Sequence, residues 1–526
     1  MRAAMRTLTG ITVELDALDD LRRVAARALG VAPDDVRSVS LARRSLDARG
    51  RRPRWVVTVH VWLHSDPSDV ATEAPNLVPT VGLGATRVVI VGSGPAGLFA
   101  ALRFADAGVP CVLIERGGAL RDRHRRARTL RAERVLDPEC NLCYGEGGAG
   151  TYSDGKLYTR KHDPRVRDVY RRLVEFGADP AILVDAHPHV GTNELIPVLA
   201  ALHDFLVERG VALRFDTRLD GLALVQGRVV GVHLRSPGGP ELLPADAVIL
   251  ATGHSARDTY TWLAAAGVAM QPKPFAVGAR VEHPQALIDR IQLGAMAGHP
   301  SVGAAEYFLT CQVGGRGVYS FCMCPGGFVI PTPTEPGRLN VNGMSNASRG
   351  NHFANAALVV TVTPEDFAPT GRALEGLEFQ RRIETRAFEA GATDVTRAYS
   401  APATRLTDFV AGRGSTTLPE RTSYRPSLTP SDAGTVLPEA VTRAIREAIG
   451  TFDRKMRGYL TDEAVIIAAE TTTSSPIRLL RDDGYESPTA RGLFPTGEGA
   501  GYAGGIVSSA IDGMVVAERI LAQGVG

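Results

Sequence analysis

Residues 88–117 read VVIVGSGPAGLFAALRFADAGVPCVLIERG. The run RVVIVG is almost wholly apolar, which is typical of a strand inside a parallel sheet. The segment after it has Pro95 in its first turn and Gly108 at its end, as expected of a helix, and VPCVLIE predicts a second buried strand. Strand, glycine turn, helix and strand in this order predict the first βαβ unit of a Rossmann-type domain.

The glycine turn has the spacing G-x-G-x-x-G, and each glycine has a mechanical reason. Gly92 permits a tight turn, Gly94 lets the backbone approach a pyrophosphate, and Gly97 lets helix and strand pack closely. The helix N-terminus offers N–H groups to the phosphates. An acid at position 115 suits the ribose of NAD or FAD and disfavours a 2′-phosphate. The predicted dinucleotide contacts are Gly92, Ser93, Gly94, Pro95, Ala96, Gly97, Glu115 and Arg116.

Two later segments favour FAD over NAD. The apolar run ADAVIL ends at Ala251-Thr252-Gly253, which looks like the strand behind the nucleotide in flavoproteins of the glutathione-reductase type. Near the C-terminus, GLFPTGEGAGYAGG places an acid where such flavoproteins hold the ribityl chain, and it then opens a helix whose positive end would face the flavin N1–C2=O edge. The residues predicted to contact FAD here are Thr252, Gly253, Gly497, Glu498, Gly504, Gly505 and Ile506.

The glycine-rich segment GEGGAGTYSDGKL, residues 145–157, allows the backbone to pass close to a flat or charged ligand. We expect it to lie over the pyrophosphate and the flavin, although a surface turn would have a similar composition. Its predicted contacts are Gly148, Thr151, Ser153, Asp154 and Lys156.

With these motifs the chain resembles a family, the uncharacterised FAD-dependent dehydrogenases of bacteria and plastids, within the glutathione-reductase-like flavoprotein superfamily. The resemblance runs from about residue 86 to the end, and more loosely through the leading segment. It is carried by GEGGAGTYSDGKL, ATGHSARDT, KPFAVGARVEHP, FCMCPGG, VNGMSNASR, ETTTSSPIRLLRD and GEGAGYAGGIVSSAIDG. The resemblance implies a bound FAD and leaves the substrate open.

The predicted fold class is α/β: a Rossmann-type, glutathione-reductase-like FAD-binding domain with an inserted mixed-sheet lobe and a small N-terminal α+β domain. We expect the βαββ domain at residues 1–64, a Pro-, Ser- and Gly-rich linker at 65–85, the FAD domain at 86–256 and 471–526, and the substrate lobe at 257–470. Its helices are predicted from EFQRRIETRAFEAGA and VTRAIREAIGTFDRKM. The substrate should bind between the lobes. Candidate polar groups are Arg280, Glu282, His283, Asn342, Ser345, Asn346 and Arg349, each with an ordinary surface or structural role as the alternative, and no catalytic base can be named.

The cysteines leave alternatives open. Cys322 and Cys324 in FCMCPGG would point to one face of a strand, either as a redox pair near the flavin or as two small buried side chains. Cys140 and Cys143 form a C-x-x-C without a second such pair at ligand spacing, so we predict no metal site.

Composition limits the remaining classes of function. The formal net charge is +2 over 526 residues, which argues against a dedicated nucleic-acid binder, although the basic loop Arg43–Arg54 could contact RNA. The sequence shows no signal peptide and no apolar run long enough to cross a membrane, so we expect a cytoplasmic protein with no membrane partner. The sequence leaves the oligomeric state undetermined.

These features predict an FAD-dependent oxidoreductase, a dehydrogenase or reductase of a small organic molecule. A second G-x-G-x-x-G is missing from the sequence, so NAD(P)H would bind transiently or another carrier would exchange electrons with the flavin. The open alternatives are a flavin-dependent monooxygenase, a flavoprotein acting on RNA through its N-terminal domain, and an NAD-binding regulator without redox turnover.

Overall fold

A computed structural model describes residues 5–48, 53–66 and 86–523 of the chain. Within these residues the strands are β1 (Arg6–Val13), β2 (Val36–Asp47), β3 (Arg54–Leu63), β4 (Val88–Val91), β5 (Val112–Ile114), β6 (Ala212–Arg214), β7 (Arg218–Val225), β8 (Arg228–Ser236), β9 (Gly239–Pro244), β10 (Ala247–Leu250), β11 (Met270–Pro272), β12 (Phe275–Pro284), β13 (Thr310–Val313), β14 (Arg316–Cys324), β15 (Gly327–Pro331), β16 (Val341–Ser345), β17 (Phe353–Val362), β18 (Ala401–Arg405), β19 (Leu428–Pro430), β20 (Val465–Glu470), β21 (Ile477–Leu479) and β22 (Leu493–Pro495). The helices are α1 (Leu21–Leu29), α2 (Pro95–Asp106), α3 (Leu120–Ala132), α4 (Arg165–Glu175), α5 (Thr192–Glu208), α6 (Arg257–Ala265), α7 (Gln285–Leu293), α8 (Pro364–Phe367), α9 (Glu375–Gly391), α10 (Leu406–Val410), α11 (Glu439–Lys455) and α12 (Ile506–Gln523).

The leading segment forms a three-stranded antiparallel sheet in the order β1-β3-β2, with α1 packed against it. Alternating apolar residues of β3, such as Val57, Val59 and Val61, are buried beneath the helix. The segment touches the rest of the chain through Arg44, whose backbone bonds to that of Val184 and Ala186.

This sheet corrects the predicted basic loop. Arg43 and Arg44 lie on β2, not in a loop, because they pair with Thr58 and Val57 of β3. The Arg44 guanidinium forms an ion pair with Asp185, so its charge is matched within the protein. Residues 49–52 of that loop, and residues 67–85 of the predicted linker, lie outside the described residues.

The central unit is a five-stranded parallel sheet in the order β22-β10-β4-β5-β6. The four residues of β4 and the four of β10 are all buried, as expected for strands covered on both faces. The predicted βαβ unit is confirmed: α2 begins at Pro95, and Gly108 follows it with a φ of +67°. An antiparallel meander, β7-β8-β9, leads into β10.

The inserted lobe is built on a seven-stranded mixed sheet in the order β13-β14-β17-β12-β20-β18-β19. All neighbouring pairs are antiparallel except β18 and β19. Apolar side chains of β12, β17 and β20 form one core with the buried faces of α9 and α11, the two helices predicted for this region. Two short pairs complete the fold: β15 with β16, and β11 with β21, which joins the segment just before β12 to the segment after β20.

No helix in the described part of the chain is both long enough and apolar enough to span a bilayer.

Candidate functional site

The carboxyl ends of three neighbouring strands bring distant parts of the chain together. The backbone N–H of Ala251 donates to the carbonyl of Val91 at 2.8 Å, and that of Thr496 donates to the carbonyl of Leu250 at 3.0 Å. The segments that begin at Gly92, Thr252 and Gly497 therefore leave the sheet side by side. In open α/β sheets this edge is where ligands bind.

Most glycines of these segments are required by contacts within the protein. A Cβ on Gly92 would lie 2.4 Å from the carbonyl oxygen of Ala251, and a Cβ on Gly97 would lie 1.9 Å from that of Gly92. A Cβ on Gly499 would lie 2.5 Å from the oxygen of Gly253. These glycines let the three turns touch one another directly.

Gly94 is different, because the protein does not require a glycine there. Its φ is −74°, which any residue adopts, and the nearest atom to a Cβ would be the Cα of Gly148 at 3.9 Å. Gly94 caps α2 without a side-chain hydrogen bond to the first turn. The structure therefore leaves a space above a helix end that carries free N–H groups, a cradle suited to a pyrophosphate.

The C-terminal segment offers a second set of groups to the same edge. The Glu498 side chain is about a quarter exposed, and its carboxylate lies near His254, with 3.5 Å between Nδ1 and Oε1. Gly504 has no atom within 4 Å of a Cβ position, and α12 begins two residues later at Ile506. The carboxylate and the start of the helix are thus available to a ligand, and Gly505 lies between them with a φ of +139°.

The N-terminal half of the glycine-rich segment 145–157 lies over this cradle. A Cβ on Gly148 would lie 2.8 Å from the Cα of Gly94, and one on Gly150 would lie 3.3 Å from Cγ1 of Ile506. Thr151 is buried and its hydroxyl accepts a bond from Arg123 at 3.1 Å. The hydroxyl of Ser153 accepts from the N–H of Gly155, two residues on, at 3.0 Å.

Glu115 already has a full set of donors within the protein. Its carboxylate accepts bonds from the N–H and hydroxyl of Ser93 at 2.9 and 2.8 Å, from the N–H of Gly117 at 3.0 Å and from that of Gly145 at 2.9 Å. A carboxylate has about four acceptor positions. Glu115 therefore fastens the glycine turn to two other loops, and its contact with a ribose stays a prediction.

Arg116 is also engaged by the protein. It forms ion pairs with Glu139 at 3.0 Å and Asp258 at 2.7 Å, and its guanidinium lies 4.4 Å from the ring centre of Tyr144. The hydroxyl of Tyr144 donates to the carbonyl of Ser255. This network ties the end of β5 to the turn that follows β10.

Asp154 and Lys156 point away from the glycine turn and towards the inserted lobe. Asp154 is 1% exposed and accepts hydrogen bonds from Ser345 and Arg349, the latter at 3.3 Å. The Lys156 ammonium donates to the carbonyl of Met323 and lies 3.6 Å from Asp154. Arg349 also pairs with Glu306 at 2.7 Å. We call Asp154, Lys156, Glu306 and Arg349 the boundary cluster, because it joins the glycine-rich segment to the lobe.

Three other polar groups of the lobe are interior side chains and do not line a crevice. Arg280 is fully buried and paired with Glu470, Glu282 is 1% exposed and bonded to Ser423, and His283 is bonded to the carbonyl of Tyr459. For these three residues the structure supports the structural alternative, since they lie on the part of β12, Phe275–His283, in which every residue is buried. Asn342 accepts a bond from Arg280 at 2.8 Å, and Asn346 is exposed.

Two residues that shape the site did not stand out in the sequence. Asp512 on α12 accepts the N–H of Gly497 at 2.7 Å and pairs with Arg481 at 2.7 Å, which fixes the turn before Glu498. The hydroxyl of Tyr260 donates to the carbonyl of Gly499 at 2.6 Å. Asp512 could have been found as a charged residue on an otherwise apolar helix face, whereas Tyr260 gave no signal.

The structure records the six cysteines as free thiols. Cys140 is buried and its sulfur accepts the N–H of Gly118 at 3.3 Å. Within the described ranges, no three His, Cys, Asp or Glu side chains are grouped so that they could hold a metal ion.

Comparison with family models gives three matches. Residues 274–473 match the model described as FAD-dependent protein, C-terminal domain-like, and residues 85–135 match the FAD binding domain. Residues 5–62 match a domain of unknown function, DUF8436.

An uncharacterized protein of Clostridium beijerinckii is 38% identical over 522 residues, which is 96% of each chain. Among solved structures, the flavin-dependent halogenase CmlS is 14% identical at a TM-score of 0.36, over 84% of this chain and 60% of that one. The aromatic hydroxylase CabE from angucycline biosynthesis is 14% identical at a TM-score of 0.32, over 84% and 62%. The chain thus spans less than two thirds of these two structures.

Proposed function

The chain belongs to a family of FAD-dependent proteins that includes the clostridial relative, and on this premise we propose that it is an oxidoreductase acting on a small organic substrate. The observation that carries the proposal is the convergence of the segments at Gly92, Thr252 and Gly497 on one edge of the parallel sheet.

The residues at this edge fit FAD. The space above Gly94 and the start of α2 would take the pyrophosphate, while Glu498 would bind the ribityl hydroxyls. The N-terminus of α12, at Ile506, would lie against the electron-accepting edge of the ring, in the arrangement of glutathione-reductase-like flavoproteins. When bound, FAD supplies reversible two-electron oxidation and reduction.

The boundary cluster would bind and orient the substrate. It holds two cations and two carboxylates where the glycine-rich segment meets the lobe, and the Nε of Arg349 is buried without a recorded hydrogen-bond partner in the described chain. Such an N–H can donate a hydrogen bond to a polar atom of a ligand at little cost in desolvation. The lobe above would exclude water, and an external partner such as NAD(P)H would exchange electrons with the flavin.

The first test is the absorbance spectrum of the purified protein, followed by anaerobic reduction with NADH or NADPH and reoxidation by a metabolite panel or by oxygen. We expect a yellow flavin spectrum that one of the two reductants bleaches. Reoxidation by a metabolite would identify a dehydrogenase or reductase, whereas oxygen consumption with hydroxylated product would identify a monooxygenase. A colourless protein that takes up no added FAD would refute the proposal.

The variant Gly94→Ala tests whether FAD occupies the space above Gly94. The protein has room for this methyl group, but bound FAD would collide with it, so we expect a folded protein that has lost flavin. Gly238→Ala, in an open surface turn between β8 and β9, is the control and should keep its flavin. Equal flavin content in both variants would remove Gly94 from the site.

A further inference from the structure

The strand β14 contains a bulge at Cys322. Phe321 pairs with Ala357 of β17, and Cys324 pairs with Asn355. Between these two pairs β14 advances by three residues while β17 advances by two, so β14 carries one extra residue. Cys322 takes up the difference with a φ of +43°, a left-handed conformation that is uncommon for residues with a side chain. Bulges of this kind occur often beside active sites, where they redirect a side chain.

Two cations face the bulge, the buried Arg280 and the partly exposed Lys156. The Arg280 guanidinium on β12 donates to the carbonyl of Cys322 at 3.0 Å and lies 4.0 Å from the sulfur of Cys324. Lys156 donates to the carbonyl of Met323, between the two cysteines. Gly343 leaves the space that the guanidinium occupies, because a Cβ at this position would lie 2.2 Å from Nη1 of Arg280.

Two carboxylates also lie near the thiols and offset part of this positive charge. Asp154 and Glu470 also face Cys322, but Asp154 is bonded to Ser345 and Arg349, and Glu470 is bonded to Arg280. Glu470 is paired with Arg280, and Asp154 lies 3.6 Å from the Lys156 ammonium, so each cation at the bulge also has a carboxylate partner. Arg280 and Lys156 lower the pKa of Cys322, whereas Asp154 raises it.

The two thiols differ in character. The Cys324 thiol lies against the carbonyl of Cys322 at 3.3 Å. The adjacent Cys324 side chain has the largest effect in lowering the pKa of Cys322, and Arg280 and Lys156 lower it further against the effect of burial. The Cys322 side chain and burial raise the pKa of Cys324. By contrast, burial raises the pKa of Cys311, the partly exposed cysteine on the adjacent strand β13.

We propose that Cys322 and Cys324 form a redox dithiol site that reduces small organic disulfides by thiol–disulfide exchange. Cys322 is partly exposed and serves as the attacking sulfur, while Cys324 is buried beside it and serves as the resolving thiol. The site lies next to Lys156 of the boundary cluster. It does not require a flavin to react.

The exchange balances in two steps. The Cys322 thiolate attacks one sulfur of the disulfide, whose S–S bond breaks as the first thiolate leaves and a mixed disulfide forms. Cys324 then gives its proton to the departed thiolate and attacks the Cys322 sulfur of the mixed disulfide, which expels the second thiolate. That thiolate takes up from water the proton that Cys322 released when it ionised. Two cysteine thiols are oxidised by two electrons to one disulfide, and the substrate is reduced to two thiols.

The test treats the reduced, full-length protein with hydroxyethyl disulfide and maps the cysteines by mass spectrometry. We expect a Cys322–Cys324 disulfide and a loss of two of the six thiols. With a small alkylating reagent near neutral pH, Cys322 should react about tenfold faster than Cys311, because it holds more thiolate. Cys324→Ser should stop at the mixed disulfide on Cys322.

Two controls keep the outcome interpretable. Cys311→Ser should leave the exchange unchanged, and Cys322→Ser should abolish it while circular dichroism verifies the fold. If Cys322 in Cys324→Ser forms no mixed disulfide, or reacts no faster than Cys311, the cysteines are only small buried side chains and the proposal is overturned. Flavin content is measured on the same samples, so a failed exchange and a failed cofactor proposal give separate readings.

Discussion

Arg280 and Glu470 form an ion pair that does not reach solvent, with 2.6 Å between Nε and Oε2 and exposures of 0% and 2%. The pair joins β12 to β20, and the remaining donors of Arg280 reach Asn342 and Asn355. It therefore holds together the sheet, the β15-β16 pair and the bulge at Cys322.

The first prediction concerns the removal of the carboxylate from this pair. Glu470→Gln leaves the guanidinium buried without a counter-charge, which typically costs roughly 3–5 kcal/mol. Urea unfolding should show this loss. Glu175→Gln, which removes an exposed partner shared by Arg171 and Arg172, is the control and should cost less than about 1 kcal/mol. Equal losses in the two variants would contradict the structural role of the pair.

The second prediction is a pH effect at Glu282. Burial raises the pKa of this carboxyl from 4.5 to about 7, against the hydrogen bonds from Ser423. The folded state thus favours the protonated acid, and the stability it contributes is complete below pH 4.5 and is lost as the pH rises through about 7. Glu282→Gln should remove this dependence, worth up to roughly 3 kcal/mol over that range.

The neighbouring His283 provides the internal check on that profile. Burial lowers its pKa from 6.5 to about 4, so its contribution is complete above pH 6.5 and is lost as the pH falls towards 4. The two slopes oppose each other in the parent protein. In Glu282→Gln, unfolding free energies measured across this range should rise with pH more steeply than in the parent. Parallel profiles would show that Glu282 does not titrate as described.

The third prediction tests the ligand contact of Glu498. Its recorded partner is His254 at 3.5 Å, so Glu498→Ala should leave the fold intact. Loss of a hydrogen bond to a charged group is worth about 1.5–3 kcal/mol, which corresponds to roughly 10- to 100-fold weaker FAD binding. Titration of the apoprotein with FAD, followed by flavin fluorescence, measures this change. Glu447→Ala, on the exposed face of α11, should bind FAD as the parent does.

The fourth prediction concerns the contact between α2 and α12. A Cβ on Gly513 would lie 1.9 Å from the carbonyl oxygen of Ala96, so Gly513→Ala must push the helices apart. We expect a loss of about 1–3 kcal/mol, with weaker flavin retention, because both helix N-termini border the cradle. Gly450→Ala in α11 meets only a side-chain atom at 3.9 Å and should be neutral or stabilising. If Gly513→Ala and Gly450→Ala have the same midpoint of thermal unfolding, the helices do not make a tight contact at Gly513.

Features that depend on local pattern could be predicted from the sequence. The βαβ unit, its start at Pro95 and its end before Gly108 follow from apolar runs and from the backbone freedom of glycine. The same holds for α9 and α11, whose apolar residues recur at helical spacing. The family of FAD-dependent proteins could also be named at that level, since its motifs are short and continuous.

The roles of single polar residues were decided only by the tertiary structure. Arg280 and Glu470 are 190 residues apart, and neither could be assigned to the interior until both were placed on neighbouring strands. Glu115 fits a ribose contact by position, yet its acceptor positions are filled by loops that start near Ser93, Gly117 and Gly145. Hydrogen-bond partners and burial depend on how distant segments pack against each other, and sequence periodicity carries no information about that packing.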